Sequence, residues 1–508
     1  MCGLVGFEVA LGRVSYYSQL GRKRTLFIYD RSIRIKGDPV SQAATRNGLK
    51  RELGLGGLVL FGLAYMAVAT VFTTYGIVNQ ITEGKLPLAY VVALLTMLFT
   101  ANSYAAMVRK YPVAGSAYTY TQQAFGGGAG FLTGWVLLLD YLFIPMINFM
   151  ILGLYVSTQF PSVPAELVSL ITLIAVFIFN VLGITLVNKL NIVIVSISGA
   201  AIILFAVFAI KTAIADPTAP GLIDPFIPGS AGFSPIFTGA GILALSFLGF
   251  DAVSTLSEEA KHPRRDIPRA IILTALIGGA LFIFVSWVGA RAYHLDDWSQ
   301  APRELLDAAG VVLAHHVAGE WLGILFVVFT VAGCFGSGLA GQVSVSRILY
   351  SMGRDGTLPK PLGILWKRFG TPVVAAGTVS VFALASLFLT LEQAAFMISF
   401  GALAAFAMVN LSVIRVHLFP RRGDEAQRSA KDLILRGLFP LIGFALTIWL
   451  WTSLESMTWI VGGIWFAIGL LILLFKTNFF RKPVPRMDFS EGPETSVVDA
   501  MGEATPFK

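Results

Sequence analysis

Two aspartates stand inside long apolar stretches. Asp140 lies in Gly134-Trp135-Val136-Leu137-Leu138-Leu139-Asp140-Tyr141, and Asp251 in Ser246-Phe247-Leu248-Gly249-Phe250-Asp251. A carboxylate at the centre of a membrane span costs about 2.5–3.5 kcal/mol on insertion scales, so a retained one is a functional candidate by default. Neither stretch supplies a Lys or Arg. The remaining counter-charges are a proton, an inorganic cation or an organic cation. The structural alternative is that each aspartate is protonated, or hydrogen-bonded to local backbone and hydroxyls, and joins helices. Glu258 and Glu259 follow Asp251 by one to two turns. They read as a water-facing pair beside Lys261, Arg264 and Arg265.

Other reactive arrangements are missing from the sequence. There is no CxxC, HExxH or Walker A pattern, and no serine at nucleophile-elbow spacing. His262, His294, His315, His316 and His417 fall in loops or at span ends, without metal-ligand spacing. Cys2 and Cys334 are too distant in sequence to suggest a disulfide framework. Gly126-Gly127-Gly128-Ala129-Gly130 has no strand before it and reads as a hinge. An enzyme, a metal site, a bound cofactor and a nucleotide-driven pump are all disfavoured.

The elements that must position the aspartates are membrane helices. Of 508 residues, 56% are hydrophobic and only 13% charged. Soluble domains carry roughly 25% charged residues. Twelve stretches reach the length of about 20 residues that a span needs. They lie near 55–81, 88–109, 128–158, 165–187, 190–214, 236–258, 267–292, 320–350, 372–390, 392–416, 434–454 and 457–476. Counted by side of these spans, 33 of the 37 Lys and Arg fall with the termini and the even connections. The odd side keeps only Lys85, Lys211, Arg291 and Arg303. This places both termini in the cytoplasm, with every Lys and Arg in a terminal segment, a connection or within three residues of a span end and none deep inside a span. The net charge of +8 then describes a face turned to anionic lipid, not to nucleic acid.

Residues 1–50 form a basic N-terminal segment, expected to be a disordered tail or sequence upstream of the true start. Residues 51–480 form the membrane domain, and 481–508 a cytoplasmic tail. Spans one and six are interrupted by glycine in matching positions, with Gly54, Gly56, Gly57 and Gly62 in one and Gly239, Gly241 and Gly249 in the other. Such pairs suggest discontinuous helices around a midplane site. Span eight holds Gly333, Gly336, Ser337, Gly338 and Gly341, read as close packing or as a small-ion site shared with span one.

Three stretches then match a known family. They are Phe247-Leu248-Gly249-Phe250-Asp251 with His262-Pro263-Arg264-Arg265-Asp266-Ile267-Pro268, Ser346-Arg347-Ile348-Leu349-Tyr350-Ser351-Met352-Gly353-Arg354-Asp355-Gly356, and Tyr111-Pro112-Val113-Ala114-Gly115-Ser116-Ala117-Tyr118. Over about residues 50–485 the chain resembles the amino acid–polyamine–organocation transporters. Gly62-Leu63-Ala64-Tyr65-Met66 and Leu138-Leu139-Asp140-Tyr141-Leu142-Phe143 resemble the bacterial putrescine importers within that superfamily. The resemblance implies an all-α polytopic membrane protein of the cytoplasmic membrane. It implies twelve helices, a five-plus-five inverted repeat with discontinuous helices 1 and 6, and alternating access. One departure bears on the substrate. Many amino-acid carriers have Gly-Ser-Gly at the span-one break, whose N–H groups bind a carboxylate. Here the break reads Met66-Ala67-Val68-Ala69-Thr70, which favours a substrate without one. A lysine used in span five by some proton-coupled relatives is also missing, which leaves the coupling ion open.

The expected function is import of a small organic cation, putrescine or a similar polyamine, driven by H+, Na+ or the membrane potential. The expected substrate site is Tyr65, Met66, Ala67, Tyr118, Asp140, Tyr141, Ser246, Phe247, Phe250 and Asp251. Ser337 and Glu258 are candidates for ion coupling. Aromatic rings add cation–π attraction of about 0.5–2 kcal/mol each where desolvated. The alternatives are an amino acid permease of the same fold, a membrane sensor that binds without turnover, and a membrane-embedded enzyme.

Overall fold

The computed structural model describes residues 7–10, 13–18, 25–29 and most of 51–481, except 67–69, 161, 296, 367, 390, 420–428, 453, 455 and 480. The chain divides into two compact units, 1–48 with 491–508, and 49–490. In the first, strands β1 (Phe7–Ala10), β2 (Arg13–Ser18) and β3 (Thr25–Tyr29) pair antiparallel in the order β1-β2-β3. Val9 faces Val14 and Tyr16 faces Phe27 in register. The β-branched and aromatic residues within these three strands suit pleated pairing.

The second unit is helical. Its spans begin with the pair α1 (Leu55–Met66) and α2 (Thr70–Ile81), bent by 47° across the break. There follow α3 (Leu86–Lys110), α4 (Ser116–Phe125), α5 (Gly127–Gln159), α6 (Ala165–Leu182) and α7 (Ile184–Ala215). Helix α8 (Ser234–Leu243) runs into two 3-10 turns at Ala244–Phe247 and Ala252–Leu256. The rest are α9 (Pro263–Ala292), α10 (Arg303–Ala318), α11 (Glu320–Arg354), α12 (Val373–Ala383), α13 (Leu391–Leu418), α14 (Ala430–Thr452) and α15 (Ser456–Lys476).

Among the described residues, ten helices are long and apolar enough to cross a membrane, and the bent α1–α2 pair makes an eleventh. The stretch expected at 372–390 is a shorter apolar helix, Val373–Leu387. The spans differ in how far they are covered. The apolar window of α5 is 83% buried, whereas those of α7 and α15 are 28% and 22% buried. Helix α5 is therefore the central rod, and α7 and α15 turn most of their surface outward. Asp140 rides on that central rod.

The expectation that no Lys or Arg lies deep inside a span fails at Arg347. It sits two turns inside the end of α11, is buried, and its Nη2 pairs with Glu259 Oε1 at 2.6 Å. Among the described residues no other Lys or Arg is buried. Sequence position put it near water, but α11 continues to Arg354 and the segment after Asp251 folds over it.

Candidate functional site

Both expected breaks are present, and they meet. Gly249 adopts φ +132°, a region open to glycine. A Cβ there would stand 3.0 Å from the Gly62 carbonyl oxygen, Met66 Cγ and Tyr65 Cβ. The missing side chain is what lets the span-six break press on the end of α1. At that end the helix stops and frees carbonyls. The Tyr65 carbonyl accepts a hydrogen bond from Ser337 Oγ on α11 at 2.7 Å. Asn148 Nδ2 on α5 donates to Ser337 Oγ at 3.1 Å and to the Ile144 carbonyl at 2.8 Å. Ser337 thus holds the backbone of the break, and Asn148 holds Ser337.

Asp251 opens the second 3-10 turn and is buried. Its Oδ2 accepts from the Tyr141 hydroxyl at 2.6 Å, and its Oδ1 from the Gly249 N–H at 3.2 Å. Asp140 precedes Tyr141 on α5 and is also buried. Neither of its carboxylate oxygens has a hydrogen-bond partner among the described residues. Its chain neighbour Tyr141 holds Asp251, and Tyr65 lies beside that same ring. Two buried acids thus share one region with no cation side chain paired to either among the described residues. An unpaired buried charge is costly, so the pair calls for a proton or a bound cation.

The local chain helps shape this region. Pro145 lies within α5 and has no N–H to give to the Tyr141 carbonyl. Gly401 of α13 permits close approach: a Cβ would lie 2.7 Å from the Asp140 backbone N and 2.8 Å from the Val136 carbonyl oxygen. The aromatic walls are Tyr65 beside Tyr141 at 6.4 Å between ring centroids, and Phe250 edge-on to Tyr104 at 5.9 Å. Ser246 meets the Tyr90 hydroxyl at 3.4 Å, and Phe247 packs on Phe282 at 5.3 Å.

Of the residues expected from sequence, Tyr65, Met66, Asp140, Tyr141, Phe250, Asp251 and Ser337 gather around the two breaks. Ser246 and Phe247 lie on the adjoining turn, against Tyr90. Ala67 lies outside the described residues. Tyr118 stands elsewhere: its hydroxyl donates to Asp355 Oδ2 at 2.9 Å and accepts from Gln122 Nε2 at 3.0 Å. Glu258 also stands apart, accepting from Arg354 Nη1 at 2.9 Å and from the Ala114 N–H at 3.2 Å. Glu258 and Glu259 are therefore paired with arginines of α11, not with Lys261, Arg264 or Arg265. Two residues escaped the sequence reading. Asn148 is a polar residue one turn from Pro145, a visible signal. Tyr104 looks like any aromatic residue of an apolar span, and only the fold brings it to Phe250.

Comparison with known proteins shows the family. The family model for the amino acid permease family matches residues 57–488. The low-affinity putrescine importer of Escherichia coli K12 is 38% identical over 453 residues, covering 88% of this chain and 98% of the importer. The branched-chain amino acid permease of Lactococcus lactis subsp. cremoris is 30% identical over 455 residues, with 83% and 93% covered. The methylthioribose transporter of Bacillus subtilis is 27% identical over 470 residues, with 86% and 95% covered. With its membrane helices, broken spans and a matched region that takes in nearly the whole helical unit, the chain belongs to the amino acid permease family, a family of membrane transporters and not of enzymes.

Proposed function

We propose that this protein imports a small organic cation, putrescine or a similar diamine, across the cytoplasmic membrane. The observation that carries the reading is the pair of buried carboxylates, Asp140 and Asp251, with no Lys or Arg paired to either among the described residues. A diamine is two ammonium groups on an apolar stem. One ammonium would take the open Asp140 carboxylate, and the other the Asp251 carboxylate beside Tyr141. Tyr65, Phe250 and Tyr104 would line the stem. The 38% identity to a putrescine importer supports the same substrate class.

In this reading the chain has twelve spans in a five-plus-five inverted repeat, with both termini cytoplasmic. Spans one and six rock at their breaks to open the site to either side. Ser337 ties the span-one break to α11 and reports on that motion. H+, Na+ or the membrane potential supplies the drive, since inward movement of a cation is electrically favoured. The relative from Lactococcus keeps a second reading in view, an amino acid permease on the same scaffold.

The test is uptake of labelled putrescine into proteoliposomes with an imposed gradient. Wild type is compared with Asp140→Asn and Asp251→Asn, with a branched-chain amino acid as the competing substrate. Uptake by wild type and its loss in both variants is expected. Putrescine uptake retained by both variants would make the aspartates structural. Uptake of the amino acid and none of putrescine would establish the permease reading instead.

A further inference from the structure

A cavity lies outside the candidate site. It measures about 510 Å³ and is bounded by α5, α13, α14 and α15. Its walls are apolar, with Val136, Ala404, Met408, Phe444 and Phe466 among them. Trp459 and Phe466 are exposed on the outer surface, so the cavity borders the bilayer. At one end the Trp451 and Trp459 rings lie tilted against each other at 4.6 Å between centroids, with Phe400 5.2 Å from Trp451. This end adjoins the α14–α15 connection, where membrane helices meet water and where tryptophan collects. From there the walls run inward from Phe400 to Met408, from Trp451 to Phe444 and from Trp459 to Phe466. At 1.5 Å per residue each of these runs is about 10–12 Å deep, against a hydrocarbon half-thickness of about 15 Å.

The Trp451 indole N–H has no hydrogen-bond partner among the described residues, although the nitrogen is shielded within the protein. It is a donor one residue inside the end of α14, and Trp459 lies three residues inside the start of α15. A void of this size also costs its walls the dispersion contacts that close packing would supply. Gly463 lines the same space, and a Cβ there would meet nothing within 4 Å.

We propose that this cavity binds one acyl chain of a bilayer phospholipid, with the Trp451 indole N–H donating to the ester carbonyl. The chain lies along the shaft between α5 and α13–α15, and its headgroup stays at the interface beside Trp459. A lipid bound here would buttress the outer side of α5 and α13, the two helices that carry Asp140 and Gly401. The proposal rests on the membrane location and not on the choice of substrate.

The experiment uses the full chain in proteoliposomes containing phosphatidylethanolamine with a photoactivatable diazirine near the end of one acyl chain. Adducts are mapped by peptide mass spectrometry. Wild type should show adducts on the α13 and α15 segments at least fivefold denser than on the outward face of α7 near Ile203 and Val207. Gly463→Leu and Ala404→Phe, which fill the shaft, should bring this down to the α7 level. Trp451→Phe should lower it about threefold. The α7 adducts serve as the control for folding and insertion in every variant. Equal density on α7 and at the cavity, or adducts unchanged by both filling variants, would overturn the proposal. So would crosslinks between two copies of the chain through this face.

Discussion

Arg347→Met should be among the most destabilising single substitutions at the α11 end of the molecule. The pair it breaks, Arg347 Nη2 to Glu259 Oε1, is 2.6 Å long with both side chains 2% exposed. The backbone around Glu259 is also engaged, since its carbonyl accepts from the Glu52 and Leu53 N–H groups. Removing the arginine leaves a buried carboxylate without its cation, which costs about 3–5 kcal/mol. Replacing both members by apolar residues, as in Arg347→Met with Glu259→Leu, should recover most of that loss, because the desolvation of both charges disappears together. The neighbouring pair Arg354–Glu258 is 33% and 17% exposed, so Arg354→Met should cost only about 1 kcal/mol. Burial pushes the Glu259 carboxyl up from its usual range, with Arg347 pulling the other way. A raised carboxyl favours the folded state below its unfolded value and loses that contribution as pH rises through the folded value. The Arg347→Met penalty should therefore be smaller near pH 5 than near pH 8. The assay is unfolding in mild detergent across that range, with single and double variants forming a cycle. A penalty under about 1 kcal/mol for Arg347→Met, or a double variant as unstable as the sum of the singles, would refute the reasoning.

Three further outcomes are expected. Tyr141→Phe removes the 2.6 Å hydrogen bond to Asp251 and should weaken apparent substrate affinity by about 10- to 150-fold, from about 1.5–3 kcal/mol for a bond to a charged group, read as KM in uptake assays. Gly401→Val should abolish uptake and lower stability by several kcal/mol, because its Cβ would sit 2.7 Å from the Asp140 backbone, as thermal unfolding of the purified protein would show. Trp465→Phe should cost about 1–2 kcal/mol: Trp135 and Trp465 each donate to the other's backbone carbonyl, at 2.9 and 2.7 Å, and their rings stack at 4.7 Å. Denaturant titration of that variant against Trp135→Phe measures it.

Much of this protein is legible in one dimension, because the bilayer imposes length and hydropathy on each helix separately. The apolar run 128–158 becomes Gly127–Gln159, and 267–292 becomes Pro263–Ala292. The interruptions at Met66 and Gly249 and the two intramembrane aspartates are local anomalies in those runs, and each marks the site region. What the runs do not contain is their arrangement around one another. That Tyr141 would bond Asp251 across 110 positions, that Ser337 would hold the Tyr65 carbonyl, and that Gly401 would admit α13 against Asp140 depend on which helix faces meet. Tyr118 shows the limit from the other side, since its own stretch suggested the site and packing delivered it to Asp355. Arg347 shows it again: hydropathy treats it as a residue near a helix end, while the fold buries it on Glu259. Composition and periodicity settle what each segment must do to live in lipid, because that cost is borne by each segment separately. Partners of buried polar groups are settled only in the tertiary structure, because a hydrogen bond or ion pair exists only between groups that the fold brings together.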